Sequence, residues 1–116
     1  MTGGLAIGVE PGEAATLVVL RGDLDIATAG ELRECLVKVI DEGARIVIDL
    51  EAVDFLDSAG LGILVGGLKR ARTRGGELEL VCTSQDVLKP LVITGLDRVF
   101  TIHPGRDAAL GSELSG

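Results

Sequence analysis

Arg45-Ile46-Val47-Ile48-Asp49-Leu50 is a short run, apolar on both faces, that reads as a strand covered on both sides or nearly so. Residues 51–57 read as a loop. Beyond it Gly60, Ile63, Leu64, Gly67, Leu68 and Ala71 recur at helical spacing, one apolar stripe on a second helix. A buried strand feeding an amphipathic helix sets the pattern for the rest of the chain. Upstream, Thr16-Leu17-Val18-Val19-Leu20 is a β-branched strand, residues 5–9 form a weaker edge strand, and Gly22-Asp23-Leu24-Asp25 ends the strand in a loop. Thr28 and Glu31 have the spacing of a capping box, and Leu32, Cys35, Leu36, Val39 and Ile40 follow as the stripe of a first helix that Gly43 stops. Downstream come a strand over residues 77–82, a helix over 84–94 ending at Gly95 with Pro90 kinking or shortening it, a last strand over 99–102, and a terminal helix over 107–114. Strands and helices alternate, which argues for one sheet with helices against it, an α/β class.

Length and composition narrow the function. A chain of 116 residues makes one domain, residues 1–116, with residues 1–4 expected to fray. Aromatic residues are limited to Phe55 and Phe100, so the core is aliphatic. The net charge of −7 opposes phosphate backbones and anionic lipid, and no Trp or Tyr offers a stacking platform, so nucleic acid is not an expected partner. No apolar run reaches the ~20 residues that span a bilayer, and Met1-Thr2-Gly3-Gly4 has no basic start to a leader. The expectation is a cytoplasmic monomer without membrane contact. Cys35 and Cys82 are far apart and His103 is the single histidine, too few ligands for a structural metal. They read as reduced, buried thiols. No cofactor is expected.

Function concentrates in Val53-Asp54-Phe55-Leu56-Asp57-Ser58-Ala59-Gly60-Leu61-Gly62. Ser58 follows Asp57 at the start of an amphipathic helix, where unpaired N–H groups and the positive dipole end accept an anion. On pattern alone, Asp57 or Ser58 capping the helix explains the same residues. The basic cluster Lys69, Arg70, Arg72 and Arg74 fits a helix C-terminus better than a phosphate site.

Asp57-Ser58-Ala59-Gly60-Leu61-Gly62, with Phe55 just upstream, resembles the signature of STAS-domain proteins, the anti-sigma factor antagonists of bacterial partner switching. Gly22-Asp23-Leu24-Asp25 and Ile93-Thr94-Gly95-Leu96 resemble two further family segments, and the order of elements agrees over about residues 5–110. The fold this implies is a small mixed sheet of four or five strands with about four helices packed on one main face. The resemblance implies that Ser58 is the phospho-acceptor, although Ala59 stands where Ser or Thr is usual. It further implies a protein that binds an anti-sigma factor with serine kinase activity, releases the sigma factor, and is switched off by phosphorylation and restored by a serine phosphatase. The chain would be the substrate, with no catalytic residue of its own.

Asp25 matches a family position in partner binding, with a loop Asx turn as the alternative, and the loop before the first helix brings Asp23 and Asp25 toward Asp57. Leu61 and Val65 fall outside the core stripe and are expected on the partner surface with Gly60 and Gly62. Tucking under a neighbouring loop is their alternative. Three other readings compete. A non-switching STAS module, a scaffold or lipid-transport accessory subunit, shares the fold. A serine hydrolase lacks the G-x-S-x-G elbow and has only His103 as a base. A nucleotide-binding protein lacks a P-loop and a G-x-G-x-x-G.

Overall fold

The computed structural model describes residues 4–114, with side chains through residue 111. The elements are β1 (Leu5–Pro11), β2 (Thr16–Leu24), α1 (Ala29–Val39), β3 (Arg45–Leu56), α2 (Ser58–Thr73), β4 (Glu77–Val81), α3 (Gln85–Ile93), a 3-10 turn (Leu96–Arg98), β5 (Ile102–His103) and α4 (Arg106–Leu114). The strands form one mixed sheet in sequence order, β1 antiparallel to β2 and the other neighbours parallel.

Period-two alternation sorts the core. Val18 and Leu20, Ile46, Ile48 and Leu50, and Leu78 and Leu80 point to the face covered by α1, α2 and α3, and all are fully buried. Leu17, Val47 and Val81 point the other way, into a smaller cluster that Ala109 of α4 closes. That double burial is why the Arg45–Leu50 run carries apolar side chains on both faces.

Several boundaries differ from the sequence reading. β2 continues through Gly22-Asp23-Leu24, with register shifts against β3 on either side of Arg21–Gly22. Gly22 has φ 110, and a Cβ there would meet the Gly4 carbonyl oxygen, so glycine lets the strand bulge without leaving the sheet. Residues 51–56 are strand, not loop: Asp23 pairs with Phe55 and Leu24 with Leu56. Glu51 and Asp54 disguise this extension, and both are exposed. Thr28 holds the N-cap position of α1 without a side-chain cap; its hydroxyl donates to the Asp23 carbonyl (2.7 Å) and accepts from Asp25 N–H (3.0 Å). α1 ends at Ile40, ahead of Gly43, and α3 runs through Pro90. The strand expected over 99–102 shrinks to Ile102–His103, because Phe100 turns into the main core after the left-handed Gly95. Of the residues expected to fray, 1–3 lie outside the described residues, and the Gly4 carbonyl accepts from Asp23 N–H (3.0 Å). Cys82 is buried and its thiol is pushed up to about 11 by burial; Cys35 is only half-buried. Among the described residues no helix is long and apolar enough to cross a membrane.

Beneath α4 the sheet carries charge. Glu79 accepts from Arg45 Nε (3.0 Å) and Nη2 (2.7 Å), meets His103 Nε2 (2.7 Å), and Arg45 also donates to the Ala109 carbonyl (2.7 Å). Arg106 clamps the buried Asp49. The Arg45 hydrogen bond outweighs burial and holds the Glu79 carboxyl below its ordinary 4.5. A depressed carboxylate contributes stability above its unfolded pKa and loses it as pH falls through the folded one. Glu79→Gln is therefore expected to melt below wild type at neutral pH, the gap closing as pH drops beneath 4.5. Melts between neutrality and about pH 3 check this. A gap independent of pH would count against the ion-pair account.

Candidate functional site

The parallel pairing of β2 and β3 continues past their cores, so their C-terminal ends arrive together. The loop that leaves β2 therefore lies against the β3–α2 junction. Asp57 joins the two. Its Oδ1 accepts from Gly60 N–H (3.0 Å), capping α2, and its Oδ2 accepts from Ile26 N–H (3.1 Å) in the β2–α1 loop. Its own N–H donates to the Leu24 carbonyl (3.3 Å). With the cap filled by Asp57, Ser58 is the first residue of α2, exposed, and its hydroxyl is not used to cap the helix.

At this end of the sheet two apolar side chains have little cover. Ile26 is 82% exposed and Phe55 52% exposed. Asp54 is exposed beside them, and Asp23 and Asp25 are half-buried in the adjoining strand end and loop. The end of the sheet is thus an acidic rim about two apolar knobs and one free-standing serine. Such a surface suits a protein partner, since exposed aromatic and branched side chains act as contact anchors.

The sequence-predicted residues divide. Asp23, Asp25, Asp57 and Ser58 do come together. Asp25 closes an Asx turn, its Oδ1 accepting from Ala27 N–H (3.0 Å) and Thr28 N–H (3.2 Å), and Asp57 serves as cap and loop tether. Gly62 is exposed with open space around its Cα. Gly60 is corrected: it is buried, and a Cβ would meet the Leu24 carbonyl oxygen at 2.6 Å and Leu56 Cδ1 at 2.8 Å. Its lack of a side chain serves packing of α2 onto the strand ends. Leu61, expected to stand out, is 7% exposed and belongs to the main core, and Val65 is half-buried against it. On an ideal helix Leu61 lies about 60° from Leu64 and Ile63 about 100°, so the buried arc is centred on Leu64 and includes Leu61. Leu24 and Leu56, from the extended strand ends, supply the cover.

Ile26 and Phe55 are the residues that sequence reading missed as surface. Phe55 was visible only as part of a motif. Ile26 carried one signal, a large apolar side chain in a loop between Asp25 and Ala27. His103 is engaged with Glu79 under α4 and gives Ser58 no base, which removes the hydrolase reading.

The cap also has a measurable value. Asp57→Ala removes the acceptor for two N–H groups and is expected to lower stability by about 1–2 kcal/mol, with faster amide exchange at Gly60 and Ile26. Unchanged exchange at Ile26 would refute the tether.

A mixed sheet with three helices on one face, a fourth on the other and an exposed serine opening the second helix defines a class. Over residues 8–109 the chain matches the STAS domain family. The anti-sigma-B factor antagonist of Bacillus subtilis (strain 168) is 35% identical over 96 residues, 83% of this chain and 88% of that one. The anti-sigma-B factor antagonist of Staphylococcus aureus (strain NCTC 8325 / PS 47) is 35% identical over 91 residues, 78% and 84% of the two chains. A crystal structure of an anti-sigma factor antagonist from Mycobacterium paratuberculosis has a TM-score of 0.84 at 31% identity, covering 93% of this chain and 92% of that one. The chain belongs to the STAS-domain family of anti-sigma factor antagonists. These are regulators and not enzymes.

Proposed function

We propose that this protein binds an anti-sigma factor in the cytoplasm through the surface around Ser58, and that phosphorylation of Ser58 ends the binding. The partner combines anti-sigma and serine kinase activity. In the transfer, Ser58 Oγ attacks the γ-phosphorus of ATP, ADP leaves, and the hydroxyl proton passes to a base of the kinase. A serine phosphatase hydrolyses the ester and restores the binding form. Bound to this protein, the anti-sigma factor releases its sigma factor. Asp23, Asp25 and Gly62 border the contact; Asp57, Gly60, Leu61 and Val65 hold its shape from beneath.

The observation that carries this reading is the exposed Ser58 at the head of α2, free of capping duty, at the end of the sheet where Ile26 and Phe55 are also exposed. A hydroxyl in that place is open to a kinase, and a phosphate there falls inside the contact.

The experiment uses Ser58→Ala as bait in lysate of the source organism, followed by incubation of wild type with the captured protein and ATP. Capture of an anti-sigma factor and one phosphate per chain, mapped to Ser58, are expected. Thr28 is buried and bonded within its loop, so it should stay unmodified. Phosphate persisting in Ser58→Ala would move the acceptor elsewhere. Binding without any phosphate transfer would make this a non-switching STAS module.

A further inference from the structure

Along the seam between α1 and α2 runs a groove of about 260 Å³ whose charge is opposite to that of the Ser58 end. Arg33 of α1 and Arg70 of α2 line it, with Ile63 on its apolar wall. Gly62 and Gly66 leave bare backbone beside them, with nothing near where a Cβ would stand. Val37, 48% exposed, forms part of the lining.

Arg70 is the unusual part. Arg45, Arg72, Arg74 and Arg106 each hold a carboxylate. Arg33 and Arg70, like Arg21 and Arg98, hold none among the described residues, and Arg70 is set apart because its Nε is buried without a hydrogen-bond partner. A partly desolvated guanidinium without a counter-charge is costly, and a carboxylate meeting its groove-facing end would offset part of that cost. On a chain of net charge −7, two cations beside one apolar groove favour an incoming acid.

We propose that this groove receives, from the anti-sigma factor, an acidic side chain flanked by an aliphatic one, with Arg33 and Arg70 supplying the charge. The inference rests on the reading that the chain binds an anti-sigma factor. Three observations favour a protein over a small molecule. The volume falls below the roughly 300–1,000 Å³ of small-molecule sites. The groove begins at Gly62, about one turn along α2 from Ser58, so one partner face reaches both. Acidic groups ring Ser58 while the seam is basic, and such a dipolar surface fixes how a partner docks.

The test measures affinity for the anti-sigma factor captured by the Ser58→Ala bait. Arg33→Glu and Arg70→Glu are compared with Lys69→Glu, which makes the same charge change at an exposed position of α2 outside the groove. Each groove variant is expected to bind at least about tenfold more weakly, and Lys69→Glu less than about threefold. Thermal melts accompany each variant, and Arg70→Gln replaces Arg70→Glu if the reversal unfolds the domain. Equal losses in all three, or none, would overturn the groove and leave the Ser58 reading standing. Groove variants that alter self-association in sedimentation would assign the groove to a second copy and likewise overturn it. If no anti-sigma factor binds at all, both readings fall.

Discussion

Phosphorylated at Ser58, the protein is expected to lose at least about a hundredfold in affinity for its anti-sigma factor, ~2.7 kcal/mol, while keeping its fold. The modification adds about −1.5 to −2 charges at the first residue of α2. In the free protein two effects oppose each other. The helix dipole and the remaining N–H groups stabilise the phosphate by roughly 0.3–2 kcal/mol. Asp57 already occupies the cap, with its carboxylate fixed on Gly60 and Ile26 N–H, and it repels the new charge. Because these partly cancel, the melting temperature should move by only about a few degrees. In the complex nothing cancels. A phosphate on Ser58 would fall within the proposed contact, where a doubly charged group must be desolvated beside exposed apolar side chains such as Ile26 and Phe55. Ser58→Asp should reproduce part of the loss, with less charge and less bulk. Calorimetric binding and thermal melts of both forms decide the matter. Loss of cooperative melting would show an order-to-disorder switch, and undiminished binding would remove the switch.

Periodicity made the fold legible because burial here is simple. The Arg45–Leu50 run is covered on both faces, α1 and α2 each bury one stripe, and the core is almost wholly aliphatic, with Phe100 and Cys82 the exceptions. What escaped was the geometry at the strand ends. The extensions of β2 and β3 depend on Gly22 bulging and on pairing between segments some thirty residues apart, which no local window reports. That single omission displaced the site reading. Leu61 lies off the apolar stripe of α2, so helical spacing points it to the surface, and only the paired strand ends give it cover. With Leu24 and Leu56 in paired strands, the N-terminal turn of α2 gains a roof and Leu61 goes under it. The same extension lifts Phe55 outward, since it alternates with the buried Leu56. Thr28 shows a related failure. Its spacing to Glu31 fits a capping box, but a hydroxyl within reach of the Asp23 carbonyl at the end of β2 and the Asp25 N–H in the loop bonds there instead.

Leu61→Ala and Phe55→Ala should therefore behave as opposites. Leu61 is 7% exposed within an aliphatic cluster, and shortening it leaves a cavity that Leu24, Leu56 and Leu64 fill only in part. The cost is roughly 2–5 kcal/mol. In a domain of this size that lowers the melting temperature by about 10 °C or more. Once the unfolded fraction is allowed for, affinity for the anti-sigma factor should change little, because the side chain reaches no partner. Phe55 is 52% exposed on a strand end whose inward neighbour, Leu56, does the packing. Phe55→Ala should move the melting temperature by about a few degrees at most, and weaken binding by on the order of 2 kcal/mol if the ring anchors the contact as an aromatic hot spot does. Ile26→Ala should follow Phe55 with a smaller loss. The pairing of outcomes is what tests the site. Strong destabilisation without specific loss of binding keeps Leu61 in the core. Weaker binding at unchanged stability places Phe55 in the interface. If Leu61→Ala instead melts like wild type and binds poorly, the roof over the first turn of α2 is open in solution, and the contact surface extends down the helix.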